Sequence, residues 1–392
     1  MRIRGKILTA ILLSAMIAAI PAHAYGQGTG TSGTEQSAEP AGADQGAENT
    51  EAAQAAEPDP GTALRVMPID FGDDGWGDGT LIESAGEYML MDTFMPECQE
   101  ELMDFLVDNG YTEFSIYLSH YHADHFCNIR PIMWDDRFKV TAVYLPDDDC
   151  LWPTDEDYGA EIGWFMSIDR GIRELAEEQN IPMTELHPGD SFRIGDALVE
   201  ILYGASYEND DHDPSYINNN SLVARITGGG IRYLTCGDIE ALIEEDILDK
   251  GIDVSADLFK MSHHGGGTSN TYSFLEAVNP SFAFFNSIAD SPDDFAYDWA
   301  AKPVSDMMEF ANVYSSRYNG NMTFTARDGV ITVRAERNTV PQIMTYKAPG
   351  GIGLCMTFQQ FNDQQEPKET EKMRAAAEAA AEKHGLLPAV YR

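Results

Sequence analysis

The segment SHYHADHFC, residues 119–127, holds His120, His122, Asp124 and His125 within six positions, directly after the strand-like run FSIYL. Imidazole and carboxylate together suit a borderline divalent ion, zinc first and manganese or iron next. Two further strand-like runs end the same way. IRYLTC leads into Gly237-Asp238, and LFKM leads into Ser262-His263-His264-Gly265. One ion takes three or four protein ligands, and six candidates are present in His120, His122, Asp124, His125, Asp238 and His263. Two ions about 3.5–4 Å apart are the natural inference, with Asp238 reaching both. Water polarised between two such ions is a nucleophile near neutral pH, so the chemistry implied is hydrolysis. Cys127 and Cys236 lie close to these residues in sequence, and a thiol there is more often a small buried hydrophobe than a ligand. His187 and His212 have no such company, and His212 sits in an acidic loop.

The elements that must position these loops alternate between strand and helix. ALRVMPIDFG and GTLIESAGEYMLMDT read as strands separated by the glycine-rich loop 72–79. CQEELMDFLVDNG has helical spacing and stops at Asn109-Gly110, and FSIYL follows as a strand. After the ligand-rich turn come a strand in KVTAVYLP and a helix in DRGIRELAEEQNIP. Two hairpins follow, one bending at Gly195-Asp196 and one at the glycines 228–230. IEALIEEDILDKG is helical, DLFKMS and SFAFFNS are strands, and MTFTAR and VITVRAE form a last hairpin through Asp328-Gly329. QIMTYKAPGGIGLCMTFQQF could add another hairpin. This order predicts a layered α/β (α+β) domain over 62–338, with ligands gathered at one set of strand ends.

The flanks carry different signals. Arg2, Arg4 and Lys6 precede an apolar run to Ile20, and Ala22-His23-Ala24 has the small-x-small pattern of a cleavage site. Residues 1–24 therefore read as a signal peptide rather than a membrane anchor, and the mature chain is expected to be secreted or held in the cell envelope. Residues 25–61 lack aliphatic periodicity and read as a disordered acidic linker. Residues 339–392 form an extension with an alanine-rich helical stretch. A net charge of -40 disfavours nucleic acid and anionic membranes as partners, because that affinity comes from Lys and Arg displacing counterions. Five cysteines, widely spaced, show no disulfide framework.

With these residues in view, the sequence resembles the metallo-β-lactamase superfamily, whose signature is His-x-His-x-Asp-His. It is most similar to the branch of the ComEC hydrolase domain and the bacterial phosphorylcholine esterases. LRVMPIDFGDDGWGDGTLIES, the turn at 120–125, NNNSLVARI with IRYLTCGD, LFKMSHHGGGTSN and NGNMTFTARDGVITV carry the resemblance, over about residues 62–336. It implies a four-layered αββα sandwich. His120 and His122 would hold the first ion, Asp124, His125 and His263 the second, and Asp238 would lie between. His264 and Asn220 would face the substrate. Many relatives place another histidine where Asn220 stands, so the first ion is expected to be held by one strong ligand fewer.

The resemblance implies phosphoester hydrolysis, a phosphodiester first, on a small-molecule or headgroup substrate. Lactone or lactam hydrolysis and a non-catalytic metal-binding module are the alternatives. Trp134, Trp152, Trp164 and Tyr158 lie between His125 and Asn218 together with acids at 147–149 and 155–157. The plain expectation is core for the tryptophans and solvent for the acids. The sharper one is a pocket for a quaternary ammonium.

Overall fold

In the computed structural model, residues 57–71, 77–147, 159–204, 216–266, 268–286 and 312–337 are described, all within the unit Ala56–Arg392. The expected signal peptide, the linker up to residue 56 and the extension 339–392 lie outside the described residues, as does the hairpin expected in QIMTYKAPGGIGLCMTFQQF. Asp59 and Pro60, linker by composition, bond to the body: Asp59 N donates to Asp196 Oδ2 at 2.7 Å, and Pro60 O accepts from Asp328 N at 2.7 Å. Polar turn residues fold in here because the Asp196 carboxylate and the Asp328 backbone N–H, each in a hairpin turn, offer them partners.

Fifteen strands build two sheets among the described residues. The first contains β1 (Leu64–Pro68), β2 (Thr80–Ser84), β3 (Glu87–Met91), β4 (Glu113–Tyr117), β5 (Lys139–Pro146), β6 (Met183–Leu186), β14 (Met322–Arg327) and β15 (Val330–Ala335), in the order β15-β14-β1-β2-β3-β4-β5-β6. The second contains β7 (Ser191–Ile194), β8 (Ala197–Tyr203), β9 (Val223–Gly228), β10 (Ile231–Thr235), β11 (Leu258–Lys260), β12 (Phe282–Phe285) and β13 (Asn312–Ser315), in the order β13-β12-β11-β10-β9-β8-β7. Pairing is antiparallel among the hairpins, while β3 to β6 and β10 to β13 run parallel.

The alternation of side chains explains the layering. Leu64, Val66, Ile82, Met89 and Tyr117 from the first sheet meet Val199, Ile226, Tyr233, Leu258 and Phe284 from the second in one buried core. Their neighbours face outward, as a period of two requires. Leu81, Leu90 and Ile116 pack under α1 (Gln99–Asp108) and α4 (Gly159–Gln179), on Leu102, Leu106, Ile172 and Leu175. Leu234, Phe259 and Phe285 pack under α6 (Ala241–Asp249) and α7 (Tyr272–Val278), on Ile243, Ile247, Phe274 and Val278. Each fully buried aliphatic or aromatic side chain contributes about 1.5–3 kcal/mol. The result is four layers, helix, sheet, sheet, helix.

The helix stops follow sequence chemistry. Gly110 at φ 78° and Asn180 at φ 56° take the left-handed conformation that ends α1 and α4. Asn279 does the same for α7, and Thr271 caps its start by accepting from Phe274 N at 3.2 Å. α4 begins at Gly159, about ten residues before the polar periodic stretch that marks it in sequence, because Phe165 and Ile172 bury against the first sheet. Short elements were not legible: β6, β13, α2 (Ala123–Phe126), α3 (Ile129–Trp134), α5 (Tyr216–Asn219) and α8 (Ser316–Asn319). No helix among the described residues is long and apolar enough to cross a membrane.

Candidate metal centre

The site lies at the C-terminal ends of parallel strands from both sheets. β3 runs into Asp92, β4 into His120–His125, β10 into Asp238 and β11 into His263-His264. Backbone bonds bind the loops together: Leu222 N donates to Ser119 O at 2.9 Å, Asp78 N to Asp124 O at 3.0 Å and Thr93 N to His125 O at 2.7 Å. Gly237 stands at φ 52°, and a Cβ there would lie 2.7 Å from Ser221 Oγ. That hydroxyl accepts from Asp238 N at 3.0 Å, so the glycine lets the aspartate seat.

Two groups of donor atoms share one carboxylate. His120 Nε2 lies 3.1 Å from His122 Nδ1 and 4.0 Å from Asp238 Oδ2. The same Asp238 Oδ2 is 3.3 Å from His125 Nε2 and 3.4 Å from His264 Nε2. Asp124 Oδ2 completes the second group at 3.5 Å from His125 Nε2 and 3.1 Å from His264 Nε2. Two donors at zinc distances and a tetrahedral angle stand about 3.3 Å apart, which most of these separations match. Asp238 Oδ1 is buried without a hydrogen-bond partner among the described residues, an expensive state for a carboxylate in a cluster whose chemistry suits a cation. The residues present therefore fit a metal.

The outer contacts aim the rings. His125 Nδ1 lies 2.9 Å from Asp92 Oδ2, and Asp92 also accepts from Ser119 N and Ser119 Oγ, each at 2.8 Å. His264 Nδ1 lies 3.2 Å from Asn286 O. In each ring a proton held at Nδ1 leaves Nε2 as the free donor. Burial pushes the pKa values of His120 and His122 down, and neighbouring histidines push further. Burial also opposes charge on His125 and His264, but Asp238, Asp124 and, respectively, Asp92 and Asp78 outweigh it, holding His125 well above its ordinary value and His264 at about 10. For Asp124 and Asp238, burial pushes up, and His125 and His264 more than reverse it.

The structure brings His120, His122, Asp124, His125 and Asp238 together. His264, expected to face the substrate, stands among the donors of the second group. His263, expected in that group, has Nδ1 3.0 Å from Thr268 Oγ1 and 3.5 Å from Glu240 Oε1. Both residues take left-handed backbone angles, φ 49° and 53°, a turn that sequence spacing does not reveal. Asn220 is buried beside Ser221 in the loop after α5.

Cys127 and Cys236 are buried free thiols. Burial pushes the first up to about 12 and the second further, so both remain neutral. The expectation of core tryptophans is corrected at Trp134 and Trp164, which are 66% and 42% exposed. Trp164 sits 5.4 Å from the Phe165 ring, itself 6.1 Å from His122, because the buried face of α4 is taken by Phe165. Trp152, Tyr158 and His212 lie outside the described residues. His187 is exposed between Asp147 and Asp190, away from the donors named above.

Asp78, Asp92 and Lys260 were missed in the sequence. Asp92 carried a signal, since it too follows a strand. Asp78 looked like one more acid in a glycine-rich loop, and Lys260 like an ordinary strand residue.

No family model matches the chain. It is 24% identical to ComE operon protein 3 of Bacillus subtilis (strain 168) over 190 residues, 48% of this chain and 22% of that protein. It is 24% identical to Competence protein ComA of Neisseria gonorrhoeae over 222 residues, 55% of this chain and 26% of that one. The chain thus spans about a quarter of the length of the curated relatives it matches. Among solved structures, the metallo-beta-lactamase fold protein YhfI from Bacillus subtilis aligns with a TM-score of 0.44 at 13% identity, covering 70% of this chain and 100% of that one. The chain is similar in sequence to these competence proteins, and its four αββα layers, with the His-x-His-x-Asp-His turn at the sheet ends, are the architecture that the resemblance to the metallo-β-lactamase superfamily implies.

Proposed function

We propose that the chain is a secreted metal-dependent hydrolase that cleaves phosphoesters, a phosphodiester first, with two zinc ions held by its own side chains. The observation that supports it is the single oxygen, Asp238 Oδ2, within 4.0 Å of ring nitrogens in both donor groups. His120 and His122 would hold one ion, Asp124, His125 and His264 the other, and Asp238 both. When bound, such a pair lowers the pKa of water and neutralises charge on a phosphoryl group. Asp238 Oδ1 has no hydrogen-bond partner among the described residues and would accept from the attacking water, orienting it. His263, 24% exposed, is the better placed histidine to face substrate. Burial opposes its charge, but its hydrogen bond to Glu240 and the charge of Asp238 outweigh this and raise its pKa. As a cation it would donate to the leaving oxygen. Asn220 would donate to a non-bridging oxygen. Trp164 at the edge of the Phe165 contact would flank a headgroup.

The test is a substrate panel on zinc-loaded protein: bis-p-nitrophenyl phosphate, a phosphomonoester, DNA over a salt series, nitrocefin and an acyl-lactone. Phosphodiester turnover that is lost in Asp124→Ala is the expected result. Turnover confined to nitrocefin or the lactone supports acyl hydrolysis, and zinc uptake without any turnover supports a binding module.

A further inference from the structure

Beneath the donor groups lies a buried ion pair that neither donor group uses. Lys260, the last residue of β11, pairs its ammonium with Asp78 Oδ2, and both side chains are almost wholly buried. Neither Lys260 Nζ nor either oxygen of Asp78 has another hydrogen-bond partner among the described residues. Asp78, His125, Asp238 and His264 are close enough together to be taken for one ligand cluster.

The ring nitrogens decide otherwise. Asp78 Oδ1 faces His264 Nδ1 at 3.6 Å, and Asp78 Oδ2 faces His125 Nδ1 at 3.8 Å. Asp124 and Asp238 face the Nε2 atoms of the same two rings. The two nitrogens of an imidazole point to different sides of the ring. An ion bound at the Nε2 atoms is therefore out of reach of a carboxylate seated behind the Nδ1 atoms. A buried carboxylate must nevertheless be paired or hold a metal, and Lys260 supplies the pairing.

We propose that Lys260 is a positioning residue that keeps Asp78 out of the ligand set. The pair forms an internal floor behind His125 and His264. Asp78 presents negative charge to both Nδ1–H groups, which stiffens the rings in the tautomer that frees Nε2, and Lys260 stops that carboxylate from swinging toward the ions. The inference rests on reading the site as a metal centre.

The test compares the full chain with Asp78→Asn, Lys260→Met and the double variant. Zinc stoichiometry and affinity are read by competition with a chromogenic chelator, folding by thermal melts, and ring tautomers by nitrogen NMR of the histidines. Asp78→Asn should bind as many ions as the parent, several-fold more weakly, because the charge facing both Nδ1 atoms is lost while Asp92 and Asn286 O still hold them. Lys260→Met should lose thermal stability. The double variant leaves neither member of the pair charged and unpaired, so it should recover stability yet still bind zinc several-fold more weakly than the parent, with altered signals from His125 and His264. Loss of one whole ion from Asp78→Asn overturns the inference by making Asp78 a ligand. A double variant that binds zinc as the parent does also overturns it, by leaving the pair a purely structural role. A parent chain that takes up no zinc overturns the metal reading itself, and the inference with it.

Discussion

Glu244 on α6 makes a quantitative prediction about the turn that carries His263 and His264. Its buried carboxylate accepts from Asn270 N at 2.6 Å and Thr271 N at 2.8 Å. Asn270 in turn clamps Ser262, accepting from Ser262 N at 3.1 Å and donating to Ser262 O at 2.9 Å. Two consecutive non-glycine residues in left-handed angles cost of order 1–3 kcal/mol each, and this chain of bonds offsets that cost. Burial raises the Glu244 carboxyl from 4.5 to about 7, with a smaller push from Glu240. Nearby Cys236 stays neutral, so it does not contribute.

A carboxyl whose folded-state pKa is raised favours folding while protonated. That contribution is complete below about pH 4.5 and is lost as pH rises through about 7, and the shift is worth roughly 3 kcal/mol. Glutamine does not titrate, and it can accept only one of the two N–H groups, which costs about 1–3 kcal/mol. Glu244→Gln should therefore be less stable than the parent at pH 5 and should match or exceed it at pH 9. Urea unfolding at pH 5, 7 and 9 with chelator present measures this. A stability difference that stays flat across that range would refute the reasoning and show that Glu244 is charged throughout.

Asp92→Asn should weaken zinc binding about 10–100-fold with little loss of fold, read by chelator competition, because it removes the acceptor behind His125. Zinc affinity should rise with pH from 6 to 9, since His264, with its pKa raised to about 10, must surrender a proton; calorimetry in buffers of different ionisation enthalpy would count the protons released. Gly237→Ala should be destabilising by more than about 1 kcal/mol in thermal melts and should lower affinity, because its Cβ would press on the serine that seats Asp238. Trp164→Ala should leave stability within about 1 kcal/mol, since the ring is half in solvent, and should raise KM more than it lowers kcat if the ring flanks substrate.

Most of the scaffold was legible in the sequence. Period-two alternation with glycine or Asx turns marks β1 to β5 and every hairpin, because one face of each strand is buried in the inter-sheet core. What escaped was short or tertiary in origin. β6 and β13 have four residues each and owe their conformation to the neighbour they pair with. The donor residues 120–125 and Asp238 stood out because ligating side chains are rare and were clustered. The separate placements of His263 and His264 did not, since adjacent identical residues differ only through their backbone angles. Lys260 and Asp78 lie far apart in sequence, and only the fold shows them to be partners.

The donor groups draw on both sheets, His120 to His125 from one and Asp238 with His264 from the other. An ion held there rivets the two halves of the sandwich across their shared core. Binding at a thousand times the dissociation constant adds about 4 kcal/mol to native stability, comparable to a large share of what a domain possesses. If the ions bind as proposed, the lifetime of the protein under proteolysis becomes a gauge of metal supply. Chelated and zinc-loaded samples digested side by side should differ in half-life by orders of magnitude, and equal half-lives would show that the sheets hold together without the rivet.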